Sequence, residues 1–264
     1  MAVCRKNIIF AHIKQKKEMQ GSNSRMEVNI FLDNFREAFG DSVQLPLIFG
    51  YGDKPIGETG RIGGCFFKVL QAACEGEPIS LNGEVITCGG GKLYTGFGTM
   101  PERVPMFVSQ TERYKQSPAD VVEYVNSLAF QQHTDKYLNF LRIDKANSFE
   151  NMEGLLFFAT PDMLSGLTTW AFYDNNAEDA VSAIFGSGCS AVVSMAVREN
   201  RINGNRTFLG LFDPSVRPYV KPDELSFVIP ASRFQTMYHT MRQSCLFGTK
   251  AWAKVKERIT NRNT

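Results

Sequence analysis

Residues Arg61 to Phe97 read RIGGCFFKVLQAACEGEPISLNGEVITCGGGKLYTGF, and the rest of the chain is organised around them. From Cys65 to Cys74 apolar positions return every three or four residues, which predicts a helix; Gly76 and Pro78 predict its end. A polar turn and a strand are expected next. Two cysteines sit in glycine-rich surroundings, Cys65 after Gly63-Gly64 and Cys88 before Gly89-Gly90-Gly91. Glycine lets backbone N–H groups approach a ligand with no side chain in the way. The pattern therefore marks a binding or reactive site. Cys65 falls at a helix start, where unpaired N–H groups and the helix dipole favour a thiolate or a bound anion.

A third cysteine repeats the arrangement in Gly186-Ser187-Gly188-Cys189. Cys4, Cys74 and Cys245 lack clustered glycines, and in such contexts cysteine is usually a small hydrophobe.

Outward from this stretch, Val28, Phe31, Leu32, Phe35 and Phe39 predict an amphipathic helix over Glu27 to Phe39, and Gln44 to Tyr51 a short buried strand. Lys92 to Phe97 resumes an apolar alternation and reads as strand. Ser117-Pro118 opens a helix expected to reach Gln132. Strands are expected at Tyr137 to Ile143, Gly154 to Thr160, Arg206 to Phe212 and Leu225 to Ile229. Helices are expected at Pro161 to Trp170, at Ala177 to Phe185, after Cys189, from Pro230 to about Ser244 and from Lys250 to Ile259. This mixture defines an α+β fold of short strands and helices.

The order strand, glycine-cysteine helix, strand occurs twice. PLIFGYGD ending at Asp53 parallels LLFFATPD ending at Asp162, Gly64-Cys65 parallels Gly188-Cys189, and the Gly90 to Phe97 segment parallels Gly204 to Leu211. Residues 1–25 are expected to form a flexible tail. Residues 26–264 are expected to form one globular unit, with related halves at 26–135 and 136–264.

A chain of 264 residues with 43% hydrophobic content can build a substantial core. Its net charge of +2, with no long basic block, gives no electrostatic footprint for nucleic acid. No apolar run reaches the ~18 residues of a membrane span, and the Ile8-Ile9-Phe10 patch is too short for a secretory core. The expected setting is the cytoplasm, with thiols reduced. A homo-oligomer is compatible with all of this.

Three chemistries follow from the residues. Cys65, Cys88 and Cys189 could bind a transition metal or an iron–sulfur cluster with one iron left to a non-cysteine ligand, although no Cys-x-x-Cys spacing is present. One thiol, Cys65 first, could act as a nucleophile, but His12, His133 and His239 carry no local signature of a partner base. Alternatively, Gly63, Gly64, Gly89, Gly90, Gly91, Lys92 and Arg61 could hold a small anionic or nucleotide-type ligand through N–H groups and positive charge, in a binding or regulatory protein whose cysteines are structural. This is not a P-loop, because Leu93 follows Lys92 where Ser or Thr would bind magnesium.

The pattern GGCFFKVLQAACEGEPISL, then CGGGKLYTGF, GSGC and RTFLGLFDPSVRPYVKPDELSFVIP, resembles the uncharacterised prokaryotic family called domain of unknown function 169. The resemblance runs from about Met26 to the helix after Pro230. It implies that Cys65, Cys88, Gly89, Gly90, Gly96, Arg206 and Glu224 belong to the family pattern, whereas Cys189 departs from it. The family name carries no assigned activity.

Overall fold

The computed structural model describes residues 24–57, 60, 62–128 and 136–262. Residues 24–39 form helix α1, whose Val28, Phe31, Leu32, Phe35 and Phe39 are all buried, as their spacing predicts. Among the described residues, seven strands make one mixed sheet: β1 (Leu47–Gly52), β2 (Ile79–Leu81), β3 (Tyr137–Arg142), β4 (Gly154–Ala159), β5 (Val181–Ser182), β6 (Thr207–Gly210) and β7 (Leu225–Pro230). Their order is β2-β3-β1-β4-β7-β6-β5. With its helices, this is an α+β fold.

Register gives the sheet an internal twofold relation. The central antiparallel pair matches Leu47 with Leu156, Ile48 with Leu155 and Phe49 with Gly154, so rotation about the Ile48–Leu155 pair exchanges the other two. The same operation carries the β1·β3 pairing of Leu47 with Arg142 onto the β4·β7 pairing of Gly154 with Pro230. It also carries Ile79–Phe140 onto Phe208–Val228. Six strands thus obey one symmetry, and β5 is an added parallel edge.

Central strand β4, sequence GLLFFA, is buried along its whole length because both faces are covered. Leu156 and Phe158 point into a core shared with α2 (Phe67–Glu75), α3 (Gly89–Tyr94) and α7 (Met195–Arg201). Leu155, Phe157 and Ala159 face a second core under α1, α6 (Pro161–Phe172), α8 (Ala231–Thr240) and α9 (Lys250–Arg262). The remaining helices are α4 (Val104–Met106), which runs into a π-helical turn at Phe107–Thr111, and α5 (Pro118–Ser127). Ser117 and Asp120 form a reciprocal capping box at the start of α5. Among the described residues, no helix is long and apolar enough to cross a membrane.

Two expected elements differ. Lys92 to Phe97 is not a strand: residues up to Tyr94 belong to α3, which Cys88 caps, and Gly96 then turns the chain at φ +75°. Three consecutive glycines disfavour a helix on propensity alone, so contacts decide it. Tyr94 is buried, its carbonyl accepts from the Ser194 hydroxyl at 2.7 Å, and Tyr51 Oη donates to Thr95 O at 2.7 Å. Ala177 to Phe185 is not a helix either. Ala180 O accepts from both Thr207 N and Thr207 Oγ1, which recruits the segment to the sheet edge as β5.

Candidate functional site

The Cys65 and Cys88 loops are tied together just before each cysteine. Ile62 and Ile86 form a parallel bridge, and Ile62 N donates to Val85 O at 2.9 Å. The Thr87 hydroxyl donates to Ile62 O at 2.6 Å and accepts from Gly64 N at 3.1 Å, so one side chain clasps both strands of the loop pair. Gly64 has φ +87°, a conformation that favours glycine, and turns the chain into Cys65 and then α2. Lys68 Nζ donates to Gly63 O at 3.0 Å and lies over the Tyr219 ring, 5.1 Å from its centroid.

Cys88 is the N-cap of α3, its Sγ accepting from Gly91 N at 3.4 Å. Cys189 directly precedes the π-helical turn Ser190–Ser194, which continues into α7. Gly188 lets this turn come close: a Cβ there would lie 3.0 Å from Val216 and 3.1 Å from both Leu211 and Phe67. Phe67, two residues after Cys65, is the first residue of α2, and Leu211 and Val216 flank Asp213. The twofold-related helices α2 and α7 therefore bring Cys65 and Cys189 to one region on one face of the sheet.

Electrostatics link the same groups. Burial pushes the Cys65 thiol above its ordinary value, and Cys88 and Asp213 add to the rise against the opposing Phe67 N–H bond and Lys68. Cys189, 6% exposed, is raised well above the ordinary value, first by burial and then by Cys65, Cys88 and Asp213. Burial thus outweighs the helix start, and the easily formed thiolate expected at Cys65 is not obtained. All five described cysteines are free thiols. Among the described residues, no three His, Cys, Asp or Glu side chains are grouped tightly enough to hold a metal ion.

Asp213 was not singled out by sequence, although Asp-Pro-Ser is a turn signature. It is 4% exposed; its Oδ1 accepts from Ser215 N and its Oδ2 from Ser215 Oγ, each at 2.9 Å. Leu211, two residues earlier, has φ +68°, which is strained for a branched residue. Nearby, Ser226 Oγ is buried without a hydrogen-bond partner, and a Cβ on Gly210 would lie 3.0 Å from it. Among the described residues, Phe107–Thr111 and Ser190–Ser194 are π-helical turns. Tyr94 is also coupled to the site: burial raises its hydroxyl, with further contributions from Tyr124, Cys189 and Asp213. Left-handed branched residues and π turns of this kind often mark functional regions.

The other candidates scatter. Arg61, His12 and His133 lie outside the described residues, as do residues 1–23 and the end of the helix expected to reach Gln132. Gly63 and Gly64 precede Cys65, but Gly64 N is already given to Thr87, and Gly91 N to Cys88. Gly89 packs toward Pro101, Gly90 toward Tyr94, and Lys92 sits in the last turn of α3. Cys74 is remote in chemistry: its Sγ accepts from Gln44 Nε2 at 3.0 Å. Half-buried Arg206 pairs with buried Glu199, and Arg217 closes its own loop by donating to the carbonyls of Lys221, Pro222 and Glu224.

These features define an α+β protein of two topologically equivalent halves, with cysteines at the starts of the paired helices. The chain belongs to the domain of unknown function 169 family, described as "DUF169: Uncharacterised ArCR", whose profile matches residues 52–240. That span includes Cys65, Cys88, Cys189 and Asp213. Comparison with curated proteins and with solved structures finds no match.

Proposed function

We propose that the protein binds an iron–sulfur cluster through Cys65, Cys88 and Cys189, in a reducing compartment such as the cytoplasm. The observation that carries this reading is the Thr87 clasp, which couples the Cys65 and Cys88 loops while Gly188 brings Cys189 against α2. Sulfur donors select iron–sulfur clusters, zinc and copper(I) over harder ions. A tetrahedral zinc with Zn–S of about 2.3 Å would draw its sulfurs to within about 4 Å of one another. Among the described residues, no three His, Cys, Asp or Glu side chains are placed to hold a single metal ion. A cluster spreads its ligands over several metal atoms and accepts wider spacing.

The raised thiols fit this reading, because a bound cation reverses the local electrostatics and each cysteine then releases its proton to become a ligand. The same shifts weigh against a thiolate nucleophile at neutral pH. Anion binding by the glycine loops is weakened because Gly64 N and Gly91 N are already committed. The test is anaerobic isolation of the full chain, followed by iron, zinc and sulfide determination on wild type, Cys65→Ser and Cys88→Ser. Iron with matching sulfide that is lost in both variants supports the reading. A metal-free wild type, or iron unaffected by either substitution, overturns it; stoichiometric zinc without sulfide replaces the cluster with a single ion.

A further inference from the structure

The two edges of the sheet are finished differently. At the β2 edge, Ile56 N and Gly57 N donate to Ser80 Oγ at 2.9 and 3.2 Å, and a Cβ on Gly57 would lie 1.7 Å from Pro78 O, so residues 56–57 lie directly on the strand. At the other edge, β5 pairs with β6 alone among the described residues. An uncovered edge offers unpaired backbone groups to another chain, and proteins usually blunt it with charge or proline. Here exposed apolar side chains stand at both ends instead. β5 runs parallel to β4, so α6, which leaves the C-terminal end of β4, finishes beside the start of β5 with Phe172 and Tyr173, 38% and 47% exposed. Ile184 and Phe185, 37% and 41% exposed, follow directly after β5. Charge separates the ends as well. Glu178 and Asp179 are exposed just before β5, Asp179 being shared with Arg206 at 3.4 Å. At the far end the Phe185 ring meets that of Tyr114 edge-on at 6.1 Å, and Tyr114 lies between Arg113 and Lys115, on a turn that stays net positive with Glu112 included.

We infer that the β5 edge is the subunit interface of a homodimer, in which two copies of β5 pair antiparallel about a twofold axis and the sheet continues from one protomer into the next. The inference is independent of the cluster reading. A twofold interface must be complementary to itself, and this edge is. Antiparallel pairing lays the start of one β5 against the end of the other. Phe172 and Tyr173 then meet Ile184 and Phe185 of the second copy, Glu178 meets the positive turn that holds Arg113 and Lys115, and each contact is made twice. At about 200 Å² per side chain, the four exposed fractions leave roughly 300 Å² of apolar surface here. Exposed Ala177 and Ala183 add to it. A standard interface buries about 800 Å² per partner, a little over half of it nonpolar, so the edge carries most of the apolar area that a stable dimer needs. The interface also adjoins the cysteine region, because Ile184-Phe185 runs on through Gly186, packed on Tyr124 Oη, to Cys189.

The experiment is sedimentation velocity on the full chain over a wide concentration range, with thermal midpoints as a fold control. Wild type is compared with Ile184→Glu, with Glu178→Lys, with the pair Arg113→Glu and Lys115→Glu, and with all three charge reversals combined. Wild type is expected to sediment as a dimer, and Ile184→Glu to weaken association about tenfold or more. Glu178→Lys and the Arg113→Glu, Lys115→Glu pair should each weaken it several-fold. Their combination should return it toward the wild-type level, because opposite charges meet again across the twofold. A wild type that is monomeric throughout, with the edge left free or taken by a different protein, overturns the inference. A dimer unaffected by Ile184→Glu uses another surface and overturns it too. So does a combined variant that associates no better than its parents, since antiparallel pairing requires the rescue. If Ile184→Glu melts early, the charge reversals, all on exposed or half-buried side chains, decide by the same criterion.

Discussion

Ile48 of β1 and Leu155 of β4 lie opposite each other, and the twofold relation of the sheet passes through that pair. A twofold perpendicular to a sheet returns each helix to the face it started from. Helices α2 and α7 therefore share one core, and Cys65 and Cys189 open them on the same side. That two cysteines so distant in sequence share one face of the sheet follows from strand register, and Gly188 permits the close packing beside Cys189.

The Thr87 clasp should matter more to the site than to the fold. Thr87→Val removes a donor to Ile62 O and an acceptor for Gly64 N on an exposed side chain, at a cost of about 1 kcal/mol. Urea unfolding should register that small loss, while iron retention after reconstitution should fall several-fold. Unchanged retention would show that the two loops hold their cysteines without the hydroxyl.

Two glycines separate packing near the thiols from packing elsewhere. Gly188→Ala would place a methyl 3.0–3.1 Å from Val216, Leu211 and Phe67, and Gly166→Ala would place one 2.3 Å from the Trp252 ring. Both should destabilise by about 1–3 kcal/mol through overpacking. Only Gly188→Ala should reduce iron uptake in the folded fraction, measured by metal analysis after size exclusion.

The Glu199–Arg206 pair is a structural prop. Glu199 is 1% exposed and accepts from Arg206 N, Nε and Nη2, the last at 2.7 Å. Glu199→Gln leaves Arg206 only the exposed Asp179 carboxylate at 3.4 Å and should cost roughly 1–3 kcal/mol, less than a fully buried pair because Arg206 is partly exposed and keeps that second partner. Denaturant midpoints should fall, with the iron content of folded protein unchanged.

Alkaline pH should weaken the apoprotein through Cys74. Burial raises this thiol from 9.0 to about 12, so the folded state favours its neutral form. That contribution is fully present below 9.0 and is lost as pH climbs from there through about 12. In urea titrations across this window, Cys74→Ala should show a shallower decline than wild type. Burial raises Cys65 and Cys189 in the same direction, so metal uptake, which requires their deprotonation, should strengthen as pH rises.

Much of the fold was legible where one local signal dominated. The stripe from Val28 to Phe39, the β4 run GLLFFA and the Ser117-Pro118 start all became the elements they announced. The repeat of strand and glycine-cysteine helix was read on a different alignment: register matches Leu47–Gly52 with Gly154–Ala159, β2 with β6 and β3 with β7, so β3 goes with β1 and β2 although it lies beyond the division expected after residue 135, and Gly90 to Phe97 has no strand counterpart. That segment misled because tertiary hydrogen bonds to Tyr94 and Thr95 override the poor helix propensity of three glycines. At the site, the cysteines could be nominated from their glycines alone. The upward shift of Cys65 could not, because burial depends on the opposite half of the chain, and Asp213 emerged only when the loop after β6 was seen against Gly188.

The most direct test is an anomalous difference map at the iron edge from crystals of the anaerobically reconstituted protein. The account predicts a compact multi-iron peak bonded to the sulfurs of Cys65, Cys88 and Cys189. An iron-free map between those three sulfurs, with iron elsewhere or nowhere, would contradict it.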